Sequence, residues 1–441
     1  MTTDLTKGKP WRVILLYTLP IIAGNMFQQL YSMVDTLIVG RTMGSDALAA
    51  VGSTTTIVYF VLCFIQGLTT GFSVITGQRF GSGDPDGIRQ SAGISTVLCV
   101  LFSVILTAVT VLLCDPILRL MNTPSDIFQY SHEYLIVIFI GTGATVFYNM
   151  ISNLLRSLGD SRTPLLFLIV SSVLNVFLDI LFIVPFHMGV AGAAWATILS
   201  QLLSAVLCLV YALKKFPLLR LSRRELTFHG HLAAVHLKMG FPMGLQMSVM
   251  CIGQLAMQFA VNGLGTTAIA GFTAGSKLDQ FAVQINNAYC TSSAGYVAQN
   301  FGAGDRERIR NGSSCALLQA IIISLSVGLL MIASRSLLIP LFLDHFEPEI
   351  YTYASRLLFL TMPFYPVLSV LCVYRSALQS MNHAAYPFIA CLIELVLRLI
   401  SSLGLSRIWG FTMICLSSPF AWIGAAIFLA AGYFHVMRAK N

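Results

Sequence analysis

Charge is what this chain has least of. Asp, Glu, Lys and Arg make up 10% of its 441 residues, and 56% are hydrophobic; a soluble domain carries about 25% charged residues. A soluble globular protein is thereby excluded. The apolar runs are too long for strands and lack period-two alternation, which excludes a transmembrane β-barrel. The 10 cysteines are scattered singly with no C-x-x-C, so they read as small buried apolar residues rather than a disulfide frame or a metal site. The first apolar segment is too long for a signal peptide and no small-residue cleavage site follows a short core. It reads as a retained helix. No nucleophile–base pair or metal-ligand spacing stands out, which argues against an enzyme and against a cofactor.

What the chain does have is a repeat. Gln78-Arg-Phe-Gly-Ser-Gly-Asp84 returns as Gln299-Asn-Phe-Gly-Ala-Gly-Asp305, followed in both places by Ile-Arg. Gly44 to Ala50 matches Gly265 to Gly271, Leu19-Pro20 matches Phe241-Pro242, and Leu155 to Pro164 has a weaker partner in Leu378 to Pro387. The Gly-rich turn lacks the Lys-Ser/Thr of a P-loop; it reads as a tight helix-to-helix turn in which Gly supplies a positive φ. A span needs about 20 apolar residues, and twelve are present: 11–39, 47–77, 91–113, 131–155, 164–186, 190–213, 237–262, 267–298, 314–343, 352–378, 386–405 and 410–435. The expected fold is therefore an all-α integral membrane protein of twelve transmembrane helices in two pseudo-symmetric six-helix lobes. The lobes are expected at 1–213 and 237–441, with a cytoplasmic linker at 214–236. Six spans per half give both halves the same orientation.

The net charge of +8 could suggest nucleic acid, but its placement does not. With both termini inside, nineteen Lys and Arg, Arg375 among them, fall on the inner side. Only Arg41, Arg119, Arg335 and Arg407 fall outside. His229, His231 and His236 read as solvated linker residues.

Acids inside spans are costly and mark function by default. Asp35 lies about five residues from the outer end of the first span, Asp179 about six from that of the fifth. At 1.5 Å per residue both sit roughly 8–10 Å below the outer surface, and Thr197 of the sixth span lies at comparable depth. Asn175 precedes Asp179 by one helical turn, and Gln28 and Tyr31 share the face of Asp35. Asp35, Asn175, Asp179 and Thr197 thus form one candidate cluster. Its oxygens suit Na⁺, and two adjacent carboxylates suit a proton. Candidates for a substrate cavity are Gln28, Tyr31, Gln66, Gln254, Gln258, Asn287 and Met257, the last from a Met-rich span with Met243, Met247 and Met250. Glu394 and Arg398, at i and i+4, are expected to neutralise each other. Lys277 and Asp279 are expected on different faces, bordering the cavity.

Gln28 to Gly40, the duplicated Gln-x-Phe-Gly-x-Gly-Asp turn and Leu155 to Pro164 together resemble the multidrug and toxic compound extrusion (MATE) family, over about residues 10–437. The resemblance implies two lobes that open alternately to each side. It implies export of organic, often cationic, compounds in exchange for Na⁺ or H⁺. Carried over by residue, the family's N-lobe cation site falls on Asp35, Asn175, Asp179 and Thr197, and its bending proline on Pro20. The chain lacks acids in spans seven and ten, so it is more similar to the DinF-like branch. Small molecules and membrane lipid are the expected partners, nucleic acid is not, and a monomer in the cell membrane is the expected functional unit. A lipid-linked-oligosaccharide flippase of the same superfamily, or a membrane receptor or scaffold without transport, are the alternatives.

Overall fold

The computed structural model describes residues 3–438 except 44, 122, 223 and 343–346, and describes no side chain at 33–49 or 341–342. The described residues form helices and no strands. In chain order they are α1 (Pro10–Met43), α2 (Ser45–Gly81), α3 (Pro85–Leu112), α4 (Cys114–Leu120), α5 (Ser125–Ile140), α6 (Thr142–Ser157), α7 (Arg162–Ile183) and α8 (Gly189–Lys215). The second half has α9 (Gly230–Asn262), α10 (Thr266–Gly302), α11 (Arg306–Ala333), α12 (Arg335–Leu338), α13 (Pro348–Thr361), α14 (Tyr365–Ser380), α15 (Ala385–Leu399) and α16 (Ser406–Arg438).

Nine described segments are long and apolar enough to cross a membrane, or ten with α5 and α6, bent by 45°, read as one span. Ala385–Arg438 is one of the nine and holds two spans. Gly410, at φ +56° and ψ −139°, breaks it in a conformation open to glycine, and α16 packs back on α15. The twelfth span is α10, which is less apolar than those nine for a physical reason. Its buried face carries Asn286, Tyr289, Ser292, Ser293, Gln299 and Asn300. The twelve spans read from the sequence are all present. Many large apolar side chains, such as Phe259, Leu329, Leu330 and Ile427, face outward, while Ser, Thr, Asn and Gln fill interior positions. That distribution suits lipid on the outside.

The repeated turn does what its glycines require. Gly83 and Gly304 have φ of +66° and +74°. The Asp that follows each caps the next helix: Asp84 accepts from Gly87 N at 2.9 Å and Asp305 from Arg308 N at 2.8 Å. In the turn before α7, Asp160 is buried and accepts from Thr163 N (3.1 Å), Thr163 Oγ1 (2.8 Å) and Lys215 Nζ (2.8 Å). Burial pushes its carboxyl up, but the bonds from Lys215 and Thr163 outweigh burial and hold it below the usual carboxylate range. Its stabilisation is therefore present at neutral pH and fades as pH falls through the folded value.

Packing divides the chain differently from the sequence repeat. One compact unit is Met26–Gly244, joined by Thr3, whose N donates to Gly159 O at 2.9 Å. The other is Asp4–Asn25 with Leu245–Asn441. Each half's first helix thus changes unit a few residues after its internal proline, Pro20 in α1 and Pro242 in α9. The connecting segment is also shorter than 214–236, since α9 begins at Gly230. His229 and His231 are exposed as expected, but His236 is not a solvated loop residue. It is fully buried on α9, with Nδ1 bonded to Leu232 O and Nε2 to Ser91 Oγ, both at 2.9 Å.

In the first unit the early part of α9 meets α2 backbone to backbone. A Cβ on Gly71 would lie 2.4 Å from Gly240 Cα, and one on Gly67 2.4 Å from Met243 O. Gly67 and Gly71, like Gly240 and Gly244, stand four apart, the small-xxx-small pattern of close membrane crossings. Around them lie Ile65, Leu68, Phe72, Ile88 and Leu98 of the apolar core. The second unit makes the equivalent crossing, α1 on α10, with a hydrogen bond instead: Thr18 Oγ1 donates to Ser292 Oγ at 2.7 Å. Gly71→Ala is expected to destabilise the detergent-solubilised protein by about 1–3 kcal/mol through overpacking, seen as a lower Tm. Gly52→Ala, in the same helix with no atom within 4 Å of the new Cβ, is expected to leave Tm unchanged or raise it. Equal effects would refute the crossing.

Candidate functional site

Helical spacing brings the candidate acid and its neighbour to one face of α7. Asn175 and Asp179, one turn apart, are both fully buried, and α8 sets half-buried Thr197 against them. The orientation of the Asn175 amide follows from its surroundings. A carbonyl oxygen turned toward the Asp179 carboxylate would pair acceptor with acceptor. With the nitrogen there instead, Asn175 donates to Tyr31 Oη at 2.9 Å and to Asp179 Oδ2 at 3.0 Å, while its oxygen accepts from Thr197 N at 3.0 Å. One amide therefore ties α1, α7 and α8 together. Thr197 Oγ1 donates to Ala193 O at 3.1 Å, which fixes its hydroxyl.

Of the four residues expected in the cation cluster, the structure brings Asn175, Asp179 and Thr197 together and adds Tyr31. The Asp35 side chain lies outside the described residues. The set presents carboxylate, amide, hydroxyl and phenol oxygens in an apolar bundle. That chemistry can hold a proton or a hard cation. Among the described residues no group of three or more His, Cys, Asp or Glu could hold a metal ion.

The other candidates fall in both units. Gln28 and Gln66, in the first unit, are exposed. In the second unit Gln254 and Asn287 are exposed, Asn287 bonding to Gln284 Oε1 at 3.2 Å. Gln258 donates to Asn262 Oδ1 at 2.9 Å, and Met257 Sδ accepts from Ser418 Oγ at 3.3 Å. Met257 packs on the cluster of Val261, Phe272 and Phe411. Pro20 stands inside a continuous helix.

In the second unit Glu394 takes a different partner from the one expected, while Lys277 and Asp279 do lie on different faces. Glu394 is held by Arg375 of α14, not by Arg398. Arg375 is itself buried, so it does not belong with the basic residues of the inner loops, where the excess nonetheless remains large. Asp279 turns inward, accepting from Tyr365 Oη at 2.5 Å and Thr361 Oγ1 at 3.2 Å, while Lys277 is exposed. No local spacing announces these partners, since they stand on other helices, 19 residues away for Arg375 and 82 to 86 for Thr361 and Tyr365. A buried Arg in an apolar run was the available signal.

Comparison with known proteins bears on the whole chain. It matches the MatE family twice, over residues 20–181 and 242–403, once in each half of the repeat. It is 33% identical over 402 residues to "Probable multidrug resistance protein YpnP" of Bacillus subtilis, covering 90% of this chain and 87% of that one. To "Probable multidrug resistance protein YoeA" of the same organism it is 27% identical, covering 88% and 85%. A solved outward-facing conformation of a multidrug resistance MATE family transporter of the MOP superfamily matches with a TM-score of 0.91, covering 99% of this chain and 98% of that one at 21% identity, a likeness of fold. With both halves matched and full-length relatives of this similarity, the chain belongs to the MatE family and is a multi-pass membrane protein.

Proposed function

We propose that this chain is a secondary active multidrug efflux antiporter. It exports organic, cationic or amphipathic, compounds in exchange for H⁺ or Na⁺ by alternating access. The observation that carries this reading is a fully buried carboxylate, Asp179, sharing one amide with Tyr31 and Thr197. A structural helix contact does not call for a buried acid, whereas charge cycling does. The family and the names of its multidrug resistance relatives agree with it.

The amide suggests how the site would read its own charge. With Asp179 ionised, Asn175 turns its nitrogen to the carboxylate. A proton on Asp179 converts that oxygen from acceptor to donor. The amide then does better rotated, its oxygen toward Asp179 and its nitrogen toward Thr197 Oγ1, 3.4 Å away. Rotation makes Tyr31 of α1 the donor instead of the acceptor, so neutralisation on α7 reaches the helix that carries Asp35 and, further on, Pro20. Proline leaves a helix with a missing hydrogen bond at which it can bend. Coupling follows if ion and substrate favour different states. H⁺ is the preferred ion and Na⁺ the alternative. The cell membrane, cytoplasmic termini and a monomeric functional unit complete the proposal. The excess of Lys and Arg in the loops of one side supports the orientation.

Asp179→Asn and Asp35→Asn are each expected to reduce efflux in proteoliposomes to the level of empty vesicles while leaving Tm nearly unchanged. Ser402→Ala, at the transposed position of the second half, is expected to retain efflux. Wild-type efflux from both Asp variants would remove the site. With ΔpH and Na⁺ gradients imposed separately, transport is expected to follow ΔpH; transport driven by Na⁺ alone would reassign the ion and leave the site standing. In intact cells an impermeant maleimide is expected to label a cysteine at His187 but not one at Leu226. The native cysteines are buried or half-buried, so background is low. Labelling at 226 would invert the topology.

A further inference from the structure

In the second unit three helices turn one polar stripe each toward a single carboxylate. α9 contributes Gln246, Met250 and Gly253, at i, i+4 and i+7; α14 contributes Arg375 and Gln379; α15 contributes Cys391, Glu394 and Arg398. Glu394, Arg375 and Arg398 are 3%, 4% and 5% exposed. Arg375 Nη2 takes Glu394 Oε1, and its Nη1 reaches Met250 Sδ at 3.6 Å. Gln379 Nε2 donates to Gln246 Oε1 at 2.8 Å, and Cys391 Sγ to Gln246 O at 3.3 Å. Arg398 lies over Gly253, where an added Cβ would stand 3.0 Å from Cδ and 3.2 Å from Nη1. A side chain there would press on that guanidinium by a few tenths of an ångström.

The cluster does not balance. Two guanidiniums face one carboxylate, and Arg375 has taken it. Arg398 makes no ion pair among the described residues. Asp279, the other acid within the spans of this unit, is engaged by Tyr365 and Thr361. Three polar atoms of the cluster are buried with no hydrogen-bond partner among the described residues: Arg375 Nε, Arg398 Nε and Gln246 Nε2. All three are donors. A buried donor or positive charge left unmatched is costly, and more so in an apolar surrounding. Immediately after Arg398 the helix widens into a π turn at Ile400–Leu405, a feature frequent at functional sites.

We propose that this cluster is an anion site: it binds a monovalent anion, a halide or the carboxylate of a transported compound, against Arg398, with donors from Arg375 and Gln246. One excess positive charge sets the valence, and an excess of donors without spare acceptors sets the sign. The site stands apart from the cation chemistry of Asp179 and does not rest on it.

The test is thermal unfolding of the purified full-length protein, titrated with chloride, bromide, acetate and benzoate against sulfate at constant ionic strength. Wild type is expected to gain Tm saturably with a monovalent anion. Response to halides assigns an inorganic ion, and response to carboxylates alone assigns a substrate group; a Tm indifferent to all four overturns the proposal. Arg398→Gln is expected to lose the response, and its persistence would overturn the proposal too. Glu394→Gln distinguishes an anion site from an internal ion network. Removing the competing carboxylate is expected to lower the half-saturating concentration about tenfold or more, whereas a network merely broken would show a lower Tm and no tighter response. That variant decides the matter if Arg398→Gln does not fold. Asp179→Asn is expected to keep the anion response, so failure of the coupling reading and failure of this one are separable.

Discussion

A polar group placed inside this bundle must find its partner within the protein or in what the protein binds, because the surrounding medium offers none. That constraint explains the inverted distribution of side chains, apolar outward and polar inward. It explains why α10, the most polar of the spans, sits with Asn286, Ser292 and Gln299 buried rather than at the rim. It also explains the strictness of the site in the first unit. Asn175 has one nitrogen and one oxygen to offer, and each neighbour fixes which way they point.

The two halves meet this constraint with different chemistry at equivalent positions. Where the first unit crosses α2 with α9 by removing side chains altogether, the second crosses α10 with α1 through the Thr18–Ser292 bond. Transposed along the repeat, Asn175 falls on Arg398 and Asp179 on Ser402. A neutral amide serving an acid in one unit thus corresponds to a guanidinium with no acid of its own in the other. Duplication preserved the frame and left each copy free to take the opposite electrical sign.

What was legible in the sequence is what depends on neighbours along the chain. Span length, the duplicated turn with its positive-φ glycines and Asp caps, and the shared face of Asn175 and Asp179 all follow from local geometry. Depth matching also brought Thr197 to that face, because adjacent antiparallel helices keep depth in register. What was not legible depends on which helices face each other. Glu394 has a basic residue one turn away and another nineteen residues away, and chooses the distant one. His236 lies in a polar stretch of sequence, yet the helix starts early enough to bury it against Ser91. Nor does any composition shift mark the change of packing unit within α1 and α9, for the helix runs on unbroken through Asn25 and Gly244.

That change of unit has a consequence for biosynthesis. Residues 4–25 are made first, yet the rest of the unit they belong to begins at Leu245, some 220 residues later. At about 5–20 residues per second, the opening half-helix waits roughly 10–45 s for its neighbours to emerge. The early part of α9 has the reverse experience, arriving when its hosts are already in place. A gene cut between α8 and α9 would yield two products, neither holding all the pieces of either unit. Such halves would have to find each other in the bilayer before either could close its core.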